Sequence, residues 1–439
     1  MTTDDQGGGD ASGPLSGGVY SWVVVATLCV VYSFNYLDRQ FLSVLAEPVK
    51  RSLHLTDTQL GLLTGLMFAL FYTAFGIPVA ALADRTHRTR IIAAACALWS
   101  LFTAACGFAG SFAGLALARI GVGVGEAGGS PPAYSIIADY FAPASRGRAL
   151  AVYSLGVPLG SMLGAASGGW IAASFGWRAA FISLGVAGLL LAPLVLAVVR
   201  EPVRGRLDGP APPVARPSLF AAIAAFLGRP KLLFTALAAG LTAFVGYAAQ
   251  TWAPAFLMRE KGMTLQQVAL WYSLTIGISG VVGTWLSGVL VDWLGARRPS
   301  AYALVPGAAI LLCLPFFLGF VFVPGWPGAL AFVIATSILG IVYLPAALTV
   351  IQNSVPAAQR ATSGALLLFV LNLIGLGGGP LFVGVLSDHF RPHFGVHALQ
   401  LALLALGPVF LLAFLCQMAA AWFMEREPKA VEVRGARTP

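Results

Sequence analysis

Charged residues are scarce in this chain of 439 residues, since Asp, Glu, Lys and Arg together make up only 10% of it. A soluble domain carries about 25% charged residues, which keep its surface in water. Apolar residues make up 58%, and the mean hydropathy is +0.84. The shortage of charge therefore excludes an ordinary soluble protein and leaves no room for a sizeable soluble domain.

Cysteine is scarce as well, and the five cysteines show neither a CxxC motif nor a Cys/His spacing typical of a metal site. We interpret them as packing residues within apolar segments. The chain also lacks the Gly-x-x-x-x-Gly-Lys-Ser/Thr loop that binds nucleotide phosphates. These absences predict a protein with no cofactor, no metal and no use of ATP. The scattered basic residues likewise predict no nucleic-acid partner.

Long apolar runs are abundant. Residues 61–83 and 91–117 both exceed the roughly 20 residues that a helix needs to span a bilayer. A membrane barrel would alternate polar and apolar residues, whereas these runs are apolar through whole helical turns. The predicted fold class is therefore all-α, a polytopic membrane protein.

Hydropathy and helix breakers predict twelve membrane helices in two halves of six. The predicted segments are 20–45, 58–83, 89–109, 113–138, 146–172 and 177–199, then 232–257, 265–291, 300–322, 329–352, 358–386 and 398–423. We thus predict an N-terminal half over 20–199 and a C-terminal half over 232–423. A Pro- and Arg-rich linker, 200–231, joins them, and the tails are 1–19, expected to be disordered, and 424–439.

The basic residues set the predicted orientation. If the amino terminus is inside, eighteen of the 26 Lys and Arg lie in the inside loops and tail, and six lie outside. Cytoplasmic loops carry the excess of positive charge. Both termini and the linker are therefore predicted to be cytoplasmic. Without a cleavable signal in residues 1–20, we expect a multi-pass protein of a bacterial inner membrane.

A repeated loop supports the two-half organisation. The sequence Ala-Ala-Leu-Ala-Asp-Arg-Thr-His-Arg-Thr-Arg at 80–90 has a counterpart in Gly-Val-Leu-Val-Asp-Trp-Leu-Gly-Ala-Arg-Arg at 288–298. Asp84 and Asp292 stand 208 residues apart, at the same place in each half. A tight cytoplasmic loop favours Asp, Gly and Arg for structural reasons alone, but two matched copies make that explanation weaker.

These loops resemble the signature of the major facilitator superfamily, and the resemblance covers the chain from Trp22 to Phe423. It implies a cytoplasmic latch, in which Asp84 lies near the start of helix eleven and Arg88 reaches Asp139 at the end of helix four. Ala80 and His87 replace glycines that are usual in the family. The implied cytoplasmic gate comprises Asp84, Arg85, Arg88, Asp139, Asp292, Arg297 and Arg298.

Two of the seventeen acids lie inside predicted membrane segments, Asp38 in the first and Glu126 in the fourth. An ionisable group in hydrocarbon costs several kcal/mol unless it is paired or hydrated, so each is a candidate functional residue. Arg39 adjoins Asp38, and Arg119 precedes Glu126 by two helical turns, on one face. We predict a proton-coupling cluster that faces a polar cavity. The alternative is a static ion pair that fixes helix packing.

The same residues resemble the Spinster branch of that superfamily. The matching elements are Asn-Tyr-Leu-Asp-Arg at 35–39, Arg-Ile-Gly-Val-Gly-Val-Gly-Glu-Ala at 119–127, Ile-Ala-Asp-Tyr-Phe at 137–141 and Pro-Leu-Gly-Ser-Met-Leu-Gly at 158–164. The resemblance implies a proton-linked carrier whose animal relatives move sphingosine phosphates and lysophospholipids. Organic-anion symporters share two of these elements, so a small carboxylate stays open as the substrate.

Other polar membrane residues are candidates for substrate contact. In the C-terminal half they are neutral, which suits an amphiphile whose head meets a charged wall. The tentative set is Asn35, Tyr134, Tyr247, Gln250, Trp252, Tyr343 and Asn372. Belt residues at the membrane surface are the alternative for the aromatic members. A glycine stripe at 156, 160, 164 and 168 predicts the close approach of another helix.

Secondary transport by alternating access is therefore the predicted function, with protons as the energy source and a lipid-like or anionic solute as cargo. An enzyme using Asp38 and Glu126 as paired carboxylates is disfavoured, because no nucleophile or metal ligands accompany them. A receptor that has lost transport is disfavoured because the internal charges and loop acids are retained. A monomer is expected, since no unexplained apolar face requires a partner.

Overall fold

The computed structural model describes residues 18–205, 207, 223, 224, 226–295, 297–355 and 359–426. The side chains of Asp292 and Ala361 are not among the described features. The predicted tails fall outside this range except for their innermost residues, and so does most of the predicted linker. Within the described residues the chain is helical with short connections and contains no strand. The predicted all-α membrane class is confirmed.

The helices of the N-terminal half follow the predicted apolar segments. They are α1 Val19–Val44, α2 Asp57–Ala83, α3 Arg88–Cys106, α4 Phe112–Glu126 continued as Ser130–Tyr140, α5 Pro143–Phe175 and α6 Trp177–Val198. A short helix, Ala46–Leu53, follows α1.

The helices of the C-terminal half are likewise six. They are α7 Pro230–Arg259, α8 Leu265–Gly295, α9 Ala301–Phe322, α10 Trp326–Ser354, α11 at 360–394, and α12, formed by Ala398–Leu404 and Gly407–Arg426. Inside α11 the stretch Leu371–Gly378 is a π-helix. Such wide turns recur at functional sites because they rotate the following residues relative to a regular helix.

Ten continuous helical stretches in the described chain are long and apolar enough to cross a bilayer. One of them, Thr362–Arg426, is 65 residues long and contains both α11 and α12. The other difference is α4, which breaks at residues 127–129 into pieces of 15 and 11 residues. The prediction of one unbroken fourth segment was wrong, because two consecutive glycines after Ala127 weaken the helix and Pro131 and Pro132 favour a new start.

The internal repeat extends beyond the loop acids to the opposite ends of α2 and α8. Thr56 and Gln59 form a capping box at the start of α2, and Thr264 and Gln267 form the same box at the start of α8. In a capping box each side chain satisfies a backbone N–H of the first turn. The two boxes stand 208 residues apart, the same offset as Asp84 and Asp292. Each is followed by a π-helical turn, Leu62–Leu66 and Val268–Tyr272.

The described residues form two compact units. The first draws them from Met1–Leu55, Met67–Pro213 and Thr264–Gly277, and the second from Thr56–Leu66, Val214–Met263 and Ile278–Pro439. Two short stretches thus pack with helices from the opposite sequence half. In the second unit, a Cβ on Gly61 would lie 2.6 Å from the Pro380 carbonyl oxygen, so the start of α2 touches the backbone of α11.

The glycine stripe of α5 is packed against α1 within the first unit. A Cβ on Gly156 would meet the Cys29 carbonyl oxygen at 3.0 Å, and a Cβ on Gly164 would meet that of Leu37 at 2.6 Å. Ordinary contact for a Cβ begins at 3.4 Å, so only glycine permits this approach. The predicted close helix approach is confirmed, and it holds the segment of α1 that carries Asp38.

Candidate functional site

Two ion pairs connect α1 to α4 in the interior of the first unit. Arg119 Nη1 donates to Asp38 Oδ2 at 2.9 Å, and Arg39 Nε donates to Glu126 Oε2 at 2.9 Å. Neighbouring residues on a helix point about 100° apart, so Asp38 and Arg39 reach different levels of α4. The four predicted coupling residues are therefore together, as two separate pairs.

Burial differs between the two pairs. The side chains of Asp38 and Arg119 are 2% and 1% exposed, whereas that of Arg39 is 14% exposed beside a fully buried Glu126. Asp38 also accepts a hydrogen bond from the Thr103 hydroxyl at 3.0 Å, so both of its oxygens are bonded. Glu126 Oε1 has no hydrogen-bond partner among the described residues. Of the four residues, Arg39 is the one that reaches a surface.

Aromatic rings surround the guanidinium of Arg39. Its carbon atom lies 4.9 Å from the ring centre of Tyr36, 4.7 Å from that of Phe68 and 4.9 Å from that of Tyr72. Contacts within about 6 Å stabilise a cation through the electrons of the ring face. These rings hold Arg39 in place without neutralising its charge, which is balanced by Glu126.

A third charged cluster lies between the start of α3 and the end of α4 in the same unit. Arg88 donates to Asp139 and, at 2.7 Å, to both Glu201 Oε1 and the Ser135 hydroxyl. Burial raises the pKa of the Glu201 carboxyl, but hydrogen bonds from the Thr89 backbone N–H and from Arg88 outweigh this effect and lower the pKa below its ordinary value. Glu201 is therefore ionised at neutral pH and shares Arg88 with Asp139.

The chain beyond α6 completes this third cluster. The backbone N–H of Gly205 donates to Asp139 Oδ1 at 2.9 Å. The Arg204 guanidinium donates to the carbonyl of Ala83, the last residue of α2, and to those of Asp84 and Thr86 just after it. Carbonyls at a helix end have no partner within the helix and favour a cation. Residues 200–205 thus pack against the N-terminal half, whereas the sequence predicted them to be part of a linker.

A fourth charged cluster occurs in the second unit. Arg259, at the end of α7, forms two hydrogen bonds of 2.8 Å with the buried carboxylate of Asp57, and Ser387 donates to the same carboxylate at 2.7 Å. Asp388 accepts the backbone N–H groups of Asp57 and Thr58 at 3.0 and 2.7 Å. A bidentate Arg–carboxylate pair is among the stronger ionic contacts in proteins. It fixes the first turn of α2 to α7 and α11.

The model of the Major Facilitator Superfamily matches residues 28–379, most of the chain. This chain belongs to the major facilitator superfamily.

The most informative relatives of this superfamily member are transporters. It is 37% identical, over 88% of its length and 89% of the relative, to an MFS-type efflux pump of Mycolicibacterium smegmatis. It is 29% identical to the human protein spinster homolog 1 over 94% of its length and 83% of the relative. The crystal structure of a bacterial homologue of the human lysosomal transporter Spinster, inward-facing and unoccupied, matches with a TM-score of 0.84 and 30% identity, covering 93% of this chain and 98% of that one. The predicted Spinster-like affiliation is confirmed.

The superfamily gate residues occupy different environments. Arg88 meets Asp139 as the resemblance implies. Asp84 and Arg85 are exposed, and so are Arg297, which lies 4.0 Å over the ring of Trp293, and Arg298. The partner of Asp84 at the start of α11 stays a prediction, and Asp292 lies outside the described side chains.

The tentative substrate residues divide into buried and accessible groups. Trp252 is 1% exposed, and its indole N–H donates to the Pro380 carbonyl oxygen at 2.9 Å. Trp252 is therefore enclosed in this structure, and its contact with substrate stays a prediction. Asn35 is 3% exposed and is also enclosed. The accessible members are Tyr134, which is exposed, and four half-buried residues, Tyr247, Gln250, Tyr343 and Asn372.

Several residues of the superfamily member's charged clusters were not predicted. Thr103 resembles any other helix threonine in sequence, and Glu201 and Arg204 resemble ordinary loop charges. Asp57 was placed among the loop acids, although its position in a Thr-x-x-Gln capping box was readable. A clearer signal was available for the rings around Arg39, since Tyr36 stands one helical turn before it on the same face.

Proposed function

We propose that this protein is a proton-coupled secondary active transporter that works by alternating access and moves an amphipathic lipid-like or anionic organic solute. The observation that carries the proposal is the pair formed by a fully buried Glu126 and a partly exposed Arg39. An arginine does not lose its proton in proteins, so only the acid of this pair can titrate. The membership in a superfamily of transporters supports the same reading.

Protonation of Glu126 changes the charge of the pair. A proton added to the carboxylate makes it neutral, and the guanidinium of Arg39 then keeps an unbalanced positive charge. That charge attracts the anionic group of a substrate, so proton and substrate favour each other's binding. Two ligands that increase each other's affinity in this reciprocal way are thermodynamically coupled.

The Asp38–Arg119 pair lies in the same unit. In the proposal its charge stays fixed while the Arg39–Glu126 pair changes its charge. The two oxygens of Asp38 accept from Thr103 and Arg119, and both side chains of this pair are almost fully enclosed. Breaking a buried pair by removing one partner costs about 3–5 kcal/mol. Asp38 and Arg39 are adjacent on α1. In the proposal, a movement of Arg39 is therefore transmitted through Asp38 to its partner on α4.

The resemblance of the sequence elements at 35–39 and 119–127 to the Spinster branch implies a lipid-like cargo, an amphiphile with an acidic head. The site geometry supports a second candidate. A partly exposed arginine whose counterion can be protonated serves equally well for a small carboxylate. The alternative is thus a proton symporter for a small organic anion.

The setting is part of the proposal. We place the protein in a bacterial inner membrane, as a monomer with both termini in the cytoplasm, on the basis of the Lys and Arg distribution. Modification of single cysteines introduced at the two termini by an impermeant maleimide tests the orientation. Labelling of intact cells at either terminus contradicts it.

Reconstitution in liposomes tests the coupling. The wild type, Asp38→Asn, Glu126→Gln and the control Glu425→Gln, an exposed acid at the end of α12, are compared under an imposed pH gradient. A labelled lysophospholipid and a small carboxylate are followed in parallel. We expect Glu126→Gln and Asp38→Asn to lose gradient-driven movement while the control keeps it, and Glu126→Gln to retain exchange of substrate across the membrane. Undiminished gradient-driven flux in Glu126→Gln contradicts the proposal.

A further inference from the structure

A strip of tyrosines extends from Arg39 across four helices of the first unit. It comprises Tyr32 and Tyr36 on α1, Tyr72 on α2, Tyr134 on the second part of α4 and Tyr153 on α5. The chain has 11 tyrosines, so nearly half of them lie in this tyrosine strip. Tyr32 and Tyr36 are spaced by one helical turn, which places both on the face that carries Arg39.

Four of the five rings form a continuous series of contacts, and Tyr72 joins them through the Arg39 guanidinium. The rings of Tyr32 and Tyr153 are stacked, with centres 4.5 Å apart and planes at 8°. Tyr134 meets Tyr153 edge-on at 5.2 Å, and Tyr36 meets Tyr32 edge-on at 5.2 Å. Tyr153 is buried and packs against the rings of Tyr32 and Tyr134. The strip is therefore a rigid aromatic surface.

The outer members of the strip are accessible. Tyr134 is 43% exposed, and Tyr32, Tyr36 and Tyr72 are half-buried. Arg39 lies at one end, 4.9 Å from the ring centres of both Tyr36 and Tyr72. Apolar surface of this kind, next to one cation whose counterion can be neutralised, complements a ligand with a flat unsaturated body and an acidic head.

We propose that the tyrosine strip binds the aromatic ring of an organic anion whose acidic group lies on Arg39. Offset-stacked or edge-on aromatic pairs gain free energy beyond that of the area they bury, which a saturated ring cannot match. Tyrosine adds hydroxyl groups at its ring edge and loses little conformational entropy on binding. This inference rests on the proposed function, within which it selects aromatic acids as the substrate class.

A matched pair of probes isolates the aromatic contribution. Naphthalene-2-sulfonate and its fully saturated counterpart, decahydronaphthalene-2-sulfonate, carry the same permanent charge on fused rings of the same size. A sulfonate neither titrates near neutrality nor leaks through a bilayer as a neutral acid. Binding of both to the purified protein is measured by calorimetry, and their uptake is measured in liposomes under a pH gradient.

We expect the wild type to bind the aromatic sulfonate about two- to tenfold more tightly than the saturated one, the range that follows from a single good ring contact. Tyr36→Leu should reduce this ratio to about one. Tyr36→Phe, which keeps the ring, and Phe175→Leu, which removes an exposed ring on α5 outside the strip, should preserve it. Thermal melting of each variant reports whether it has folded.

Equal binding of the two sulfonates by the wild type overturns the inference, whatever the variants do. So does a ratio that survives Tyr36→Leu in a folded variant. Tighter binding of a lysophospholipid than of either sulfonate, with proton-driven movement retained, refutes the aromatic substrate and leaves the proposed transporter in place. Failure of the pH gradient to drive any of these anions instead contradicts the proposed function.

Discussion

The contact between the glycine stripe of α5 and the backbone of α1 leads to a quantitative prediction for Gly164→Ala. The added Cβ would lie 2.6 Å from the Leu37 carbonyl oxygen and 2.9 Å from the Leu37 Cα. Ordinary contact for a Cβ starts at 3.4 Å, so the added Cβ would be about 0.8 Å too close to that oxygen. Backbone cannot rotate away as a side chain does, so α1 has to move by about this distance.

Leu37 precedes Asp38, so the displacement reaches the ion pair directly. A shift of this size directed away from Arg119, with α4 in place, would lengthen the Arg119–Asp38 hydrogen bond from 2.9 Å to about 3.7 Å, beyond the range of a hydrogen bond. Overpacking of a close-packed interior costs about 1–3 kcal/mol, and the loss of a hydrogen bond to a charged group costs about 1.5–3 kcal/mol. We therefore expect transport to fall at least about tenfold.

Gly76→Ala is the matched control for this substitution. Gly76 lies in α2, and nothing would lie within 4 Å of its added Cβ. Alanine favours a helix interior over glycine by about 1 kcal/mol, so the control should be neutral or slightly stabilising. Thermal melting in detergent and gradient-driven uptake in liposomes are measured for both variants. If Gly164→Ala melts and transports as Gly76→Ala does, α1 is not positioned by the stripe and the reasoning fails.

Two further predictions concern single hydrogen bonds. Thr103→Val keeps the side-chain shape but removes the donor to Asp38, so we expect a loss of about 1–3 kcal/mol in stability. An unaltered melting temperature contradicts this role. Glu201→Gln removes the ionic partner of Arg88. Because the pKa of Glu201 is lowered in the folded protein, its stabilisation is present above the unfolded pKa and is lost as the pH falls through the folded value. The variant should therefore melt below the wild type at pH 7, and the difference should shrink as the pH falls below the ordinary Glu pKa of about 4.3 and vanish below the lowered folded value. A difference that persists undiminished in acid refutes the ionic explanation.

The membrane helices were predictable because their signal is long and local. Twenty apolar residues in a row have few structural alternatives, and the bounds of α3, Arg88–Cys106, differ little from the predicted 89–109. The break in α4 was not predicted, since hydropathy does not respond to two glycines within an apolar run. Hydropathy thus identifies a segment and misses the local conformation that redirects it.

The candidate site was predictable in its membership but not in its pairing. Asp38 and Glu126 stood out because charge inside a bilayer is costly, and the structure gives each a basic partner. Sequence spacing placed Arg119 and Glu126 on one face of α4 and so suggested a single cluster. Which arginine meets which acid depends on the separation and rotation of two helices, which no spacing within one helix determines.

The segment of residues 200–205 shows the opposite situation, in which composition alone suggested a simple linker. Proline and arginine in a polar stretch are typical of an unstructured connection, yet Glu201 and Arg204 bind groups that earlier helices leave unsatisfied. The start of α3 offers the free N–H of Thr89, and the end of α2 offers free carbonyls. An acid suits the start of α3, and a base suits the end of α2. Glu201 meets the former, and Arg204 meets the latter. The segment therefore acts as a cap shared by two helices, and its charges have a structural reason that the loop composition conceals.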